Sequence, residues 1–217
     1  MILGMPPEIF ILRIPIILLT LTIHEFAHGW MAFKLGDSTA RDAGRLTLNP
    51  ISHLDPLGAI MLMTGIFGWA KPVPVNGYNL LNPKRDIVLV SIAGPFSNIL
   101  MAIVFGLIIR FLGSHNPAML QGHLQTLLWL GFYINVGIAF FNLLPFPPLD
   151  GSKIVMGFIP DKHIPRYLHM TRHVLIVFII LIVAGTVFDS PVLSILLDPL
   201  YKPFVNVIQF ITFGKVV

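Results

Sequence analysis

The sequence contains no cysteine and only two glutamates, Glu8 and Glu25. Without thiols there is no disulfide framework and no thiolate metal site, so any bound metal must be held by His, Asp or Glu. Charge is scarce as well. Asp, Glu, Lys and Arg make up 11% of the 217 residues, hydrophobic residues 55%, and mean hydropathy is +0.84. A soluble globular domain carries about 25% charged residues, so this composition describes a multi-pass membrane protein. There is no polar linker, repeat or low-complexity tract, and residues 1–217 are expected to form a single membrane-embedded domain. The net charge of +4 does not gather into a basic stripe, which argues against a nucleic-acid partner. Met1 to Pro7 has no basic side chain and the apolar run continues to Leu35, so the N-terminal segment is expected to be a retained membrane helix rather than a cleaved signal.

Against that background the segment His24-Glu25-Phe26-Ala27-His28 stands out, because it lies inside an apolar run. On a helix over residues 9–35, His24 and His28 are four apart and project from one face, with Glu25 about 100° round. This is the H-E-x-x-H arrangement of zinc hydrolases: two imidazole ligands and a carboxylate able to act as a base on water. The alternative is a buried polar cluster that ties helices together, and ionisable groups at membrane depth are costly unless paired. His169 and His173 are also four apart, but they flank Arg172 at a membrane boundary with no carboxylate between them, and read as interfacial.

Apolar runs place a first span at residues 8–35, kinked at Pro15 and closed by Gly36-Asp37, a second at 87–113 and a third at about 124–144. A fourth is expected at 173–188 and a fifth at 191–213, where Asp198, Pro199, Lys202 and Pro203 interrupt the run. Residues 37–56 form a polar loop. The 14 residues from Leu57 to Ala70 are too short to span and read as re-entrant. Residues 69–76, with Pro72 and Pro74, read as an extended, edge-like segment to which another strand can add. The expected fold class is therefore an all-α polytopic membrane protein with four to five transmembrane helices plus a short re-entrant or extended β-like segment.

Eleven of the fourteen Lys and Arg residues fall on one side of this topology, and Arg13, Arg110 and Lys202 on the other. The positive-inside rule then puts the N-terminus outside, the loops 36–86 and 150–172 in the cytoplasm, and His24 and His28 in the cytoplasmic half of the membrane. A catalytic zinc takes three protein ligands and keeps a position for water. With Glu8 and Glu25 the only glutamates, a downstream glutamate ligand is excluded, and Lys34, six residues beyond His28, excludes a histidine at that spacing. Asp150 is favoured, because it ends the proline-rich segment Asn142 to Gly151 at the same membrane face, and Gly151 permits an unusual turn. His53 and Asp55 remain alternatives on that side, and Asp150 could instead cap a short helix over Ser152 to Phe158. Asn142 and Asn98, taken alone, read as interhelical hydrogen-bonding groups.

Together, Leu21 to Gly29, Gly44-Arg45-Leu46-Thr47-Leu48-Asn49-Pro50, Gly94-Pro95-Phe96-Ser97-Asn98 and Asn142 to Gly151 resemble the site-2 proteases, zinc metalloproteases that cleave transmembrane substrates. The resemblance implies one Zn2+ per chain bound by His24, His28 and Asp150, with Glu25 as the catalytic base. It also implies substrate-binding roles for Asn142, near the metal, and Asn98, on the helix that lines the site. The implied partners are the lipid bilayer and a transmembrane protein substrate, cleaved in regulated intramembrane proteolysis. With no room for a PDZ or CBS regulatory domain and no span before the metal motif, the chain looks like a minimal version. Two other readings use the same residues. One is a non-hydrolytic membrane metal transporter or sensor, against which the lack of pseudo-symmetric halves counts. The other is a membrane di-iron oxidase, which eight histidines suggest but only two i, i+4 pairs support.

Overall fold

Pro6 and Pro7 open helix α1 (Pro7–Lys34), at positions where a missing N–H removes no helical hydrogen bond. The helix continues through Pro15 and stops before Gly36, whose φ of 105° suits a residue without Cβ. A single turn, α2 (Thr39–Asp42), follows. Helices α3 (Pro83–His115) and α4 (Gly122–Leu143) form an antiparallel pair joined by a short connection, and α5 (Asp150–Phe158) and α6 (Ile164–Thr171) are short. The last, α7 (Val192–Phe213), accommodates Pro199 and Pro203. These elements belong to a computed structural model that describes residues 6–58, 70–174, 176–178, 180–181 and 192–216.

Helices α1, α3 and α4 are each long and apolar enough to cross a membrane. Helix α3 lies at the centre and packs against α1, α4, α5 and α7. Between lipid-facing helices there is no water to expel, so close packing of small residues, rather than hydrophobicity, holds them together. Gly131 on α4 illustrates this: a Cβ there would lie within 2.6 Å of the Phe105 ring on α3. The apolar core formed by Ile16, Ala102, Phe105, Phe132, Val136, Val205 and Ile208 joins α1, α3, α4 and α7. Packed this way, α1 and α3 hold the residues of the next section against one another.

The expected first, second and third spans are thus present, with α3 running four residues earlier than expected and two later. The fourth expected span, 173–188, lies largely outside the described residues, as does most of the re-entrant stretch from Leu57 to Ala70. Residues 192–213 do form a helix, interrupted by Pro199 and Pro203, and it is not among the three apolar spans. The β-like segment needs correction. Among the described residues there is no strand, only one antiparallel bridge between Leu54 and Ala70. Pro72 and Pro74 have no N–H to continue a ladder, and the neighbouring donors are taken: the Lys71 N–H bonds His53 O at 2.9 Å and the Val73 N–H bonds Glu25 Oε2 at 2.8 Å.

Candidate active site

Helical periodicity puts His24 and His28 one turn apart on the buried face of α1, with ring centroids 4.6 Å apart. Their Nδ1 atoms face pure acceptors: His24 Nδ1 donates to Asn98 Oδ1 at 2.6 Å and His28 Nδ1 to Val90 O at 2.7 Å, both on α3. In each neutral ring the proton therefore sits on Nδ1, and Nε2 carries a lone pair. These lone pairs point to one place. The two Nε2 atoms are 3.0 Å apart, and Asp150 Oδ2 lies 3.0 Å from His28 Nε2 and 3.3 Å from His24 Nε2.

Asp150 reaches this point from a sequence position 122 residues away. Helix α4 ends at Leu143, the proline-rich turn reverses the chain, and Asp150 is the first residue of α5, making no capping hydrogen bond to that helix. Gly151 lets the turn close: a Cβ there would lie 2.5 Å from the Leu143 carbonyl carbon. The second carboxyl oxygen of Asp150 lies 3.4 Å from Lys153 Nζ.

Three potential ligand atoms, all from buried side chains, thus converge, an arrangement that suits a cation. Two nitrogens and one oxygen suit zinc, and in tetrahedral zinc with bonds of about 2.0–2.1 Å neighbouring ligand atoms sit about 3.3 Å apart. The observed spacings, 3.0, 3.0 and 3.3 Å, lie at or slightly below that figure, and the ring N–H groups bonded to an amide oxygen and a carbonyl supply the usual outer partners of histidine ligands. Among the described residues this is the one group of three such side chains within reach of a common ion. His53 and Asp55 do not join it: His53 Nε2 donates to Thr47 O at 2.8 Å, and Asp55 Oδ1 accepts the Gly58 N–H at 2.8 Å.

Glu25 is half-buried beside the histidines. Its Oε2 is held by the Val73 N–H, and the segment that supplies this donor is pinned at both ends. Arg45 Nη2 donates to Lys71 O at 2.8 Å, and Asp37 Oδ2 accepts the Asn76 N–H at 2.7 Å. Asp37 is fully buried and also accepts from Thr39 and Asn79. Burial raises its pKa, but these hydrogen bonds bring the net value below normal. Gly29 makes room for the segment, since a Cβ there would lie 3.0 Å from Val73 Cγ1.

Of the two asparagines, Asn98 is brought to the site, fully buried against His24. Asn142 donates from Nδ2 to Ile138 O on its own helix at 3.0 Å. Sequence reasoning missed the Val90 carbonyl and the Val73 N–H, and it named Gly94 only within a motif, without its role of leaving space for both imidazoles. Only Gly94 left a trace, as a glycine within an apolar helix.

Known proteins resemble this chain. The profile of Peptidase family M50 matches residues 110–185. The chain is 37% identical to YwhC of Bacillus subtilis (strain 168) over 198 residues, 89% of this chain and 90% of that protein. It is 33% identical to Rip2 of Mycolicibacterium smegmatis (strain ATCC 700084 / mc(2)155) over 66% of this chain and 55% of Rip2. With zinc metalloprotease MJ0392 of Methanocaldococcus jannaschii it shares 24% identity over 72% of this chain and 36% of that protein. No solved structure matches significantly. The chain belongs to Peptidase family M50, the site-2 protease family of zinc metalloproteases.

Proposed function

We propose that this protein is an intramembrane endopeptidase that hydrolyses peptide bonds in transmembrane segments of protein substrates. The observation that carries the reading is the convergence of His24 Nε2, His28 Nε2 and Asp150 Oδ2, with Glu25 beside them, between helices long enough to span a bilayer. In this reading His24, His28 and Asp150 hold one zinc ion, within a single membrane-embedded domain. Zinc supplies Lewis acidity there, activating water and polarising the scissile carbonyl.

The chain's own groups do the rest. With Oε2 fixed on the Val73 N–H, Glu25 has Oε1 left to take the proton of the attacking water and return it to the leaving amine. Asn98 keeps the His24 ring in the tautomer with a free Nε2. Asn142 at the end of α4 engages the substrate backbone. The substrate helix must unwind locally, because its backbone groups are otherwise paired to one another. The charge asymmetry of the loops supports an outside N-terminus and a site in the cytoplasmic half of the membrane.

Two variants in reconstituted protein test the assignment. Glu25→Gln is expected to keep zinc while cleavage of a membrane-spanning reporter falls by orders of magnitude, and Asp150→Ala to lose zinc. Full cleavage by Glu25→Gln would sink the base assignment, and metal-dependent transport in its place would favour the transporter or sensor. Unchanged zinc in Asp150→Ala would remove Asp150 from the ligand set.

A further inference from the structure

Asn135 lies mid-way along α4, fully buried, and hydrogen-bonds to Asn98 and Gly131 O rather than to the proposed ligands. It is nevertheless the far end of a chain of hydrogen bonds that ends on one of them. The chain starts at Gly131 O, which accepts from Asn135 Nδ2 at 2.8 Å. Asn135 Oδ1 accepts from Asn98 Nδ2 at 3.2 Å, and Asn98 Oδ1 accepts from His24 Nδ1 at 2.6 Å. A carbonyl oxygen cannot donate, so Gly131 O fixes which end of the Asn135 amide faces it. Asn135 then presents oxygen to Asn98, Asn98 must present nitrogen in return, and its oxygen is left for His24.

We propose that Asn135 is a positioning residue for the metal site, setting the amide orientation of Asn98 and thereby the His24 tautomer that leaves Nε2 free for zinc. This rests on the reading of His24 as a zinc ligand. The polarity matters because the reversed chain is nearly isosteric. With the Asn98 amide turned over, its NH2 faces His24 Nδ1, the ring proton moves to Nε2, and the lone pair needed for the metal is gone. A second contact, Asn98 Nδ2 to Thr20 O at 3.3 Å, favours the same orientation, but it is long and shares a carbonyl that lies within α1. Neither orientation exposes the amide to water, since Asn98, Asn135 and Thr20 are all fully buried. The choice is therefore made by protein groups alone, in a low-dielectric setting where a mispaired polar group is costly.

The test compares two replacements of similar size in the full-length protein in lipid nanodiscs. Asn135→Leu fills the volume and removes both hydrogen bonds. Asn135→Asp, as the carboxylic acid, accepts from Asn98 and donates to Gly131 O, so it preserves the polarity. Zinc affinity is read by chelator competition, and the His24 tautomer by 15N resonances of histidine-labelled, metal-free protein. Asn135→Leu is expected to bind zinc about tenfold more weakly, in line with losses of 10–100-fold for partners closer to a metal, with His24 partly protonated at Nε2. Asn135→Asp should stay near wild type on both readouts. Equal affinity in all three proteins overturns the inference, as does an equal loss in both variants, which would mark a merely structural position. Where Asn135→Leu does not fold, Asn135→Ser, too short to reach Asn98 and adding no bulk, is compared with Asn135→Asp under the same criteria. Zinc bound by the wild type but unaffected at position 135 refutes the inference alone, whereas a wild type without zinc refutes the proposed site as well.

Discussion

Gly94 sets how closely α3 approaches the two imidazoles. A Cβ at that position would lie 2.6 Å from His28 Cε1 and 2.7 Å from His24 Cε1. Both rings are tethered at Nδ1 and buried, so neither can swing aside cheaply. Gly94→Ala is expected to lower zinc affinity by more than tenfold, measured by chelator competition, with helical content by circular dichroism unchanged. Wild-type affinity would show that the rings have room to relax. At this scale the sequence was informative where spacing constrains geometry. His24 and His28 could be paired from helical periodicity alone, and the scarcity of glutamate pointed to Asp150 before any contact was seen. Partners contributed by backbone atoms, such as Val90 O and the Val73 N–H, left no mark in residue identity. Asn98 and Asn135 resemble any other polar residue in an apolar run, and the order in which their amides face each other exists only in three dimensions.

The extended segment after Ala70 is held less by its own pairing than by Asp37 at the end of α1. Burial raises the Asp37 pKa, but the hydrogen bonds it accepts outweigh burial, so its folded-state value lies below the unfolded value of about 3.9. The stabilisation is therefore complete above about pH 4 and is lost as pH falls through the folded value. Hydrogen exchange at the Asn76 amide should accelerate relative to Val136, in the core of α4, as the solution is acidified below about pH 4. Asp37→Ala should produce the same loosening at neutral pH, because Thr39, Asn76 and Asn79 lose their shared acceptor. Unchanged Asn76 protection in that variant would mean that Arg45 and Glu25 suffice. This segment also shows why its β character was misread. Alternating prolines and valines describe an extended backbone, but they do not reveal whether its donors meet a neighbouring strand or single side chains. Here they meet His53 O, Glu25 and Asp37.

For the molecule as a whole, composition and apolar run length were enough to anticipate an all-α membrane protein and its three apolar spans. Run length could not anticipate how α7 would sit, since a helix with Asp198 and Lys202 paired at 2.8 Å satisfies neither a purely apolar nor a soluble pattern. Orientation can be tested cleanly because the sequence has no cysteine of its own. Tyr78 is 97% exposed and Met119 54% exposed. With the N-terminus outside, Met119→Cys should react with a membrane-impermeant maleimide in intact cells, and Tyr78→Cys only after permeabilisation. The reverse pattern would invert the topology. Helices α1 and α3, with 28 and 33 residues, are longer than the roughly 20 needed to cross a bilayer. Over-long helices adapt by tilting, and by different amounts when their lengths differ. The 2.6 Å bond between His24 and Asn98 joins these two helices, so a change in their relative tilt is felt at that bond. The thickness of the host membrane, set by acyl-chain length, thereby becomes a physical input to the geometry of the ligands.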